Sequence, residues 1–161
     1  MGFKGLASEI REKIKKGPIE YQWYADYFEI VGSYLEDDRA YAVEGLRWLS
    51  ERIIRDVDAV VKGGDSDTGG KLMELHKQVL LRIARWDFDS FLLYVEWNRE
   101  PSKQFYYPRR KQLRPVVQTI QDLADDKLDI AGISLPPGVG NRLWRCSACA
   151  GLRGGIQGCR S

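Results

Sequence analysis

Apolar residues recur along this chain with a helical period. From Asp38 onward, Ala42, Leu46, Leu49, Ile53, Val57 and Val60 fall at spacings of three and four. That spacing paints one stripe along a helix of about six turns. Residues 5–16 predict a shorter amphipathic helix, which stops at Gly17-Pro18 because proline disfavours helix in the residue before it and cannot continue one. A second helix is expected over 19–35. Its aromatic run, Tyr21, Trp23, Tyr24, Tyr27 and Phe28, has helical spacing, which favours packing into a core over stacking on bases.

The stretch GGDSDTGG (63–70) has four glycines and no apolar residue, and it reads as a loop. It faintly resembles a calcium loop, but His76 stands where the bidentate glutamate belongs, so a solvated linker is expected. Leu72, Leu75, Val79, Leu80 and Ile83 then mark a helix, with His76 beside its stripe in a structural place. Asp87 or Asp89 can cap a further helix running through Glu96. PSKQFYYP (101–108) reads as extended. Arg109–Asp125 returns to helix with Leu113, Val117, Ile120 and Leu123 inward, and KLDIAGISL (127–135) reads as a buried strand ending at Pro136-Pro137.

Composition narrows the class. The chain has 161 residues, 43% of them hydrophobic, with no apolar run near the roughly 18 residues of a membrane span. Its start, MGFKGLASEIREK, lacks a secretory core, and Leu6 stands where an acylation signal needs serine or threonine. A cytoplasmic protein without a membrane partner is expected. The net charge is +2, but Arg142, Arg145, Arg153 and Arg160 lie in an acid-free tail, leaving 21 basic and 23 acidic residues in 1–140. A net acidic body offers no broad basic face for DNA. Arg109, Arg110, Lys111 and Arg114 do cluster, as phosphate contacts or as a solvated helix start. All three cysteines, Cys146, Cys149 and Cys159, also fall in the tail. Three ligands without a nearby histidine do not close a zinc site.

The sharpest chemistry lies in ISLPPGVGNRLW (133–144). A phosphate-binding loop needs a strand, a glycine turn whose N–H groups face the phosphates, then lysine and serine or threonine at a helix start. Pro137, Gly138, Val139 and Gly140 supply the turn, but Asn141 and Arg142 occupy the two side-chain places.

The run from Asn98 to Gly140, NREPSKQFYYPRRKQLRPVVQTIQDLADDKLDIAGISLPPGVG, resembles the large-subunit terminases of tailed bacteriophages, the motors that package viral DNA. In that family an aromatic, proline and arginine stretch precedes a helix, an acidic turn and a strand leading into LPPGxGK. Leu135 in place of the first glycine fits the family's loop variant; Asn141 onward departs from it. The resemblance implies a mainly α chain: a helical N-terminal region (1–100), then the first helix, strand and incomplete P-loop of an α/β ATPase domain (101–140). It implies nucleotide binding at Pro137, Gly138, Val139 and Gly140, degenerate at Asn141 and Arg142, with Tyr107, Pro108 and Arg109 near the nucleotide. The family's cofactors are ATP and magnesium, and its partners are viral DNA, the portal and the small terminase subunit.

A shift of reading frame accounts for the departure. Asparagine codons begin AA, so one A restored before codon 141 gives lysine. The codons of Asn141 to Arg145 then permit Lys-Ser-Thr-Leu-Ala. Residues 141–161 accordingly read as an out-of-frame tail. The acidic second strand and the nuclease domain of the family are missing from the sequence, so the chain is expected to bind no cofactor and to have no catalytic residue. The alternatives are a non-catalytic helical protein-binding module and, more remotely, a metal or redox protein using the tail cysteines. The strand at 128–134, without parallel neighbours, is expected to promote association.

Overall fold

The structure is a computed structural model that describes residues 3–129, 131 and 132. Six α-helices are found among the described residues: α1 (Phe3–Lys16), α2 (Tyr21–Gly32), α3 (Arg39–Lys62), α4 (Ser66–Ile83), α5 (Phe88–Glu96) and α6 (Tyr106–Ala124). Short 3-10 turns occupy Ser33–Leu35 and Pro101–Lys103. Contacts divide the chain into two units, Met1–Arg114 and Pro115–Ser161. The chain is therefore mainly helical, as its periodicity predicts. No helix among the described residues is long and apolar enough to cross a membrane.

In the first unit, α3 packs most extensively on α4, α2 lies against α1, α3 and α4, and α5 rests on α4. The α3 stripe is the centre of this packing. Ala42, Leu46, Leu49 and Ile53 are fully buried, and Leu72, Val79 and Ile83 of α4 join them in one cluster. The aromatic run of α2 belongs to the same core: Tyr24, Tyr27 and Phe28 are buried, while Tyr21 and Trp23 pack at its edge. Burying tyrosine requires a partner for its hydroxyl. Tyr24 donates to Asp56 Oδ2 at 2.5 Å, and Arg52 Nε meets the same oxygen at 2.6 Å. Burial, and then this bond, raise the Tyr24 phenol well above its ordinary range. Helices α2 and α3 approach closely at Gly45, where an added Cβ would stand 2.7 Å from Val31 Cγ1.

Aspartates set the helix starts. Asp38 accepts from Tyr41 N at 3.2 Å, Asp65 from Thr68 N at 3.0 Å and Asp87 from Ser90 N at 3.0 Å. Each satisfies a donor that the first helical turn leaves free. Asp87, rather than Asp89, is thus the cap of α5.

Two segments differ from their sequence-based expectation. The loop expected at 63–70 spans only 63–65, because the Asp65 cap starts α4 at Ser66 and carries Gly69 and Gly70 into the helix. Gly64, at φ +90, provides the turn. Gly69 is buried close to α3: a Cβ there would lie 2.8 Å from Val61 Cγ2. The extended stretch expected at 101–108 is a 3-10 turn followed by the first turn of α6. Proline at position 108 fits that turn, where no N–H partner exists to be lost.

The second unit contributes the rest of α6. Asp125 and Lys127 pair at 3.1 Å, and Asp126 has φ 54. Leu128, Asp129, Ala131 and Gly132 lie in neither helix nor strand, and no strand occurs among the described residues. Ile130 and residues 133–135 of the expected strand lie outside them. So do Pro137, Gly138, Val139, Gly140, Asn141, Arg142 and the tail cysteines.

Candidate functional site

The start of α6 is held by a carboxylate from α5. Glu96 is buried and accepts the backbone N–H groups of Phe105 at 2.8 Å and of Tyr106 and Tyr107 at 2.9 Å. These are the orphan donors at the positive end of the helix dipole, the place an anion would otherwise take. A second acid of the α5 region, Asp89, binds Arg110 through Nε at 3.0 Å and through the other guanidinium nitrogen at 2.5 Å, and accepts from the Tyr106 hydroxyl. Burial opposes ionisation of Asp89, but these bonds outweigh it and hold its carboxyl below the usual range. The pair is bidentate and partly buried, the geometry in which arginine binds carboxylate strongly.

Beside this junction lies a cleft made of two adjoining recesses. One, of 160 Å³, is lined by Ile54, Met73, Leu80, Leu93, Trp97 and Tyr107 together with His76, Glu96 and Gln104. The other, of 310 Å³, shares Ile54, His76, Leu93 and Tyr107 and adds Ser50, Glu51, Arg55, Arg110 and Arg114. An apolar floor therefore opens onto a rim carrying three guanidinium groups.

His76 is the polar centre of the cleft. It is 4% exposed, its Nε2 lies 2.8 Å from Ser50 Oγ, and its ring tilts against Trp97 at 5.2 Å. Nδ1 has no hydrogen-bond partner. An unmatched buried nitrogen of this kind costs about 1–3 kcal/mol. Burial, and then the charge of Arg110, lower the imidazole to about 4, so it is neutral at pH 7. Serine beside histidine is the beginning of a nucleophilic arrangement, but a base of this type is oriented by an acid on its other nitrogen. No acid among the described residues takes that place.

The sequence-based site residues separate. Tyr107 is 55% exposed and lines both recesses, whereas Pro108 and Arg109 are not among the lining residues. Arg109 lies over the Phe105 ring at 4.9 Å and donates to the Phe105 carbonyl at 3.1 Å. The basic cluster at 109–114 is likewise divided: Arg110 is taken by Asp89, Arg114 reaches Glu51 at 3.3 Å, and Lys111 is exposed. Ser50 was not a candidate in the sequence, where it lies 26 positions from His76. Its place four residues after Leu46 and three before Ile53, on the buried face of α3, is the only trace it leaves there.

Comparison with protein-family models, with curated proteins and with solved structures gave no match.

Proposed function

We propose that residues 1–140 correspond to the N-terminal part of a phage terminase large subunit, the ATP-driven motor that packages viral DNA. The observation that carries this reading is the order and spacing of motifs from Phe105 through the arginines and the acidic turn to LPPGVG (135–140). Its first half fits the observed elements: the aromatic and arginine residues open α6, and Asp125 and Asp126 follow the end of that helix. In this reading the P-loop of an α/β ATPase domain lies at 136–140, outside the described residues, while 127–129, 131 and 132, which are described, form no strand. ATP and magnesium belong to the complete motor, and viral DNA, the portal and the small subunit are its partners.

This chain itself does not hydrolyse ATP in this proposal, because Asn141 and Arg142 replace the lysine on the phosphates and the hydroxyl on magnesium. Sequencing the source DNA across codons 138–150 and beyond tests the assignment. The expected result is a neighbouring frame that reads Lys-Ser at 141–142 and continues to a strand ending in acids. A neighbouring frame closed by stop codons would overturn the frameshift reading, and steady-state ATPase activity in the purified chain would overturn its inactivity.

A second reading, a helical module that binds another protein without catalysis, is favoured by Phe91 and Val95. They lie four residues apart on α5 and are 39% and 45% exposed. Binding of a terminase small subunit that is lost in Phe91→Ser and Val95→Ser variants would support it, and binding unaffected by both would exclude this face.

A further inference from the structure

The cleft beside His76 carries an inference independent of the packaging-motor reading, because every residue it uses lies between Ser50 and Arg114. We infer that this cleft binds a small carboxylic acid with a compact apolar body, the body against Ile54, Leu93 and Trp97 and the carboxylate at Arg55 and Arg114. The apolar recess of 160 Å³ matches in size an aromatic ring or a branched chain of about six carbons, since apolar cavities of about 150 Å³ accept benzene.

The charge arrangement at the rim specifies the head group. Arg110 is satisfied by both oxygens of Asp89, and Glu96 is engaged by three backbone N–H groups. Glu51 makes one exposed contact with Arg114 at 3.3 Å. Arg55, exposed on α3 at the rim, has no acidic partner among the described residues. A carboxylate arriving there completes Arg55 and shares or displaces Glu51 on Arg114, forming the charge-assisted pairs that a planar guanidinium favours. Within the cleft, His76 adds no positive charge, and its Nδ1 is a polar atom still lacking a partner. A ligand that combines an apolar body with one anionic group matches both the apolar floor and the guanidinium rim; a bare anion leaves the apolar floor exposed to water, and a neutral aromatic leaves Arg55 unmatched.

The test uses the full chain and three probes: phenylacetate, its neutral counterpart 2-phenylethanol, and inorganic phosphate. Binding is read by NMR from the Trp97 indole and His76 ring signals, which report from the two recesses. Phenylacetate is expected to shift both signals saturably and to bind at least about tenfold more tightly than either other probe, the worth of a hydrogen bond to a charged group. Arg55→Gln, a change at an exposed side chain, is expected to weaken phenylacetate by about tenfold while leaving 2-phenylethanol and the unliganded spectrum unchanged. Any one of three results overturns the inference: no saturable shift with phenylacetate, equal binding of 2-phenylethanol or phosphate, or an Arg55→Gln variant that binds phenylacetate as tightly as the parent.

Discussion

His76 makes the stability of this fold depend on pH in a window where few other groups titrate. It is the only histidine in the chain. Burial, with help from Arg110, lowers its imidazole from an ordinary 6.5 to about 4. Between those two values the unfolded chain binds a proton that the folded chain refuses. Stability is therefore complete above pH 6.5 and falls as pH drops toward 4. One pKa unit corresponds to about 1.36 kcal/mol, so the loss is about 2 kcal/mol at pH 5 and about 3 kcal/mol once both states are protonated. The depressed carboxylates, including Asp38, Asp65 and Asp89, lose their contribution only at more acid pH, below the ordinary 3.8 of aspartate. Urea unfolding followed by tryptophan fluorescence at pH 7, 6 and 5 measures the effect. His76→Gln serves as the control: it lowers stability overall by disturbing the Ser50 contact, but it removes the slope. A parent protein equally stable at pH 7 and pH 5, or a slope that persists in His76→Gln, would refute the reasoning.

Other perturbations follow from the packing and the caps. Leu49→Ala removes a fully buried side chain from the centre of the α3 stripe and is expected to cost about 2–5 kcal/mol in denaturant unfolding. Gly45→Ala places a methyl group 2.7 Å from Val31 and 3.2 Å from the Tyr27 hydroxyl. The overpacking, about 1–3 kcal/mol, exceeds the helix-propensity gain of about 1 kcal/mol, so the urea midpoint will fall. Glu96→Gln keeps the shape but removes the charge from the α6 start. A loss of about 1–2 kcal/mol is expected, with faster amide hydrogen exchange at Phe105, Tyr106 and Tyr107 than in the parent.

The elements governed by local rules were legible in the sequence. The α3 stripe specified its own buried face and its start near Asp38, and a cap for α5 was expected at Asp87 or Asp89, of which Asp87 is the one, because period and capping act within a few residues. What escaped depended on contacts between distant segments. Glycines at 69 and 70 argue for a loop, yet the tight approach to α3 favours a residue without a side chain at 69. The start of α6 is set by Glu96, nine to eleven residues upstream and on another helix, so nothing within 101–108 announces it. The cleft shows the same division. Tyr107 was named for a nucleotide site on the resemblance alone and not for this cleft, and the pairing of Ser50 with His76 exists only once α3 and α4 are packed.

The three-residue link between α3 and α4 also bears on how fast the chain folds. The most extensive helix pair is joined by residues 63–65 alone, so its contacts close at little chain entropy and can form before those that bring α6 into place. Substitutions in this hairpin, such as Leu72→Ala, should then slow refolding, while comparable substitutions in α6, such as Leu113→Ala, should mainly accelerate unfolding. Stopped-flow refolding of the two variants separates the cases, and the reverse pattern would mean that assembly begins elsewhere. A turn that looks like a slack glycine linker is then expected to set where assembly starts.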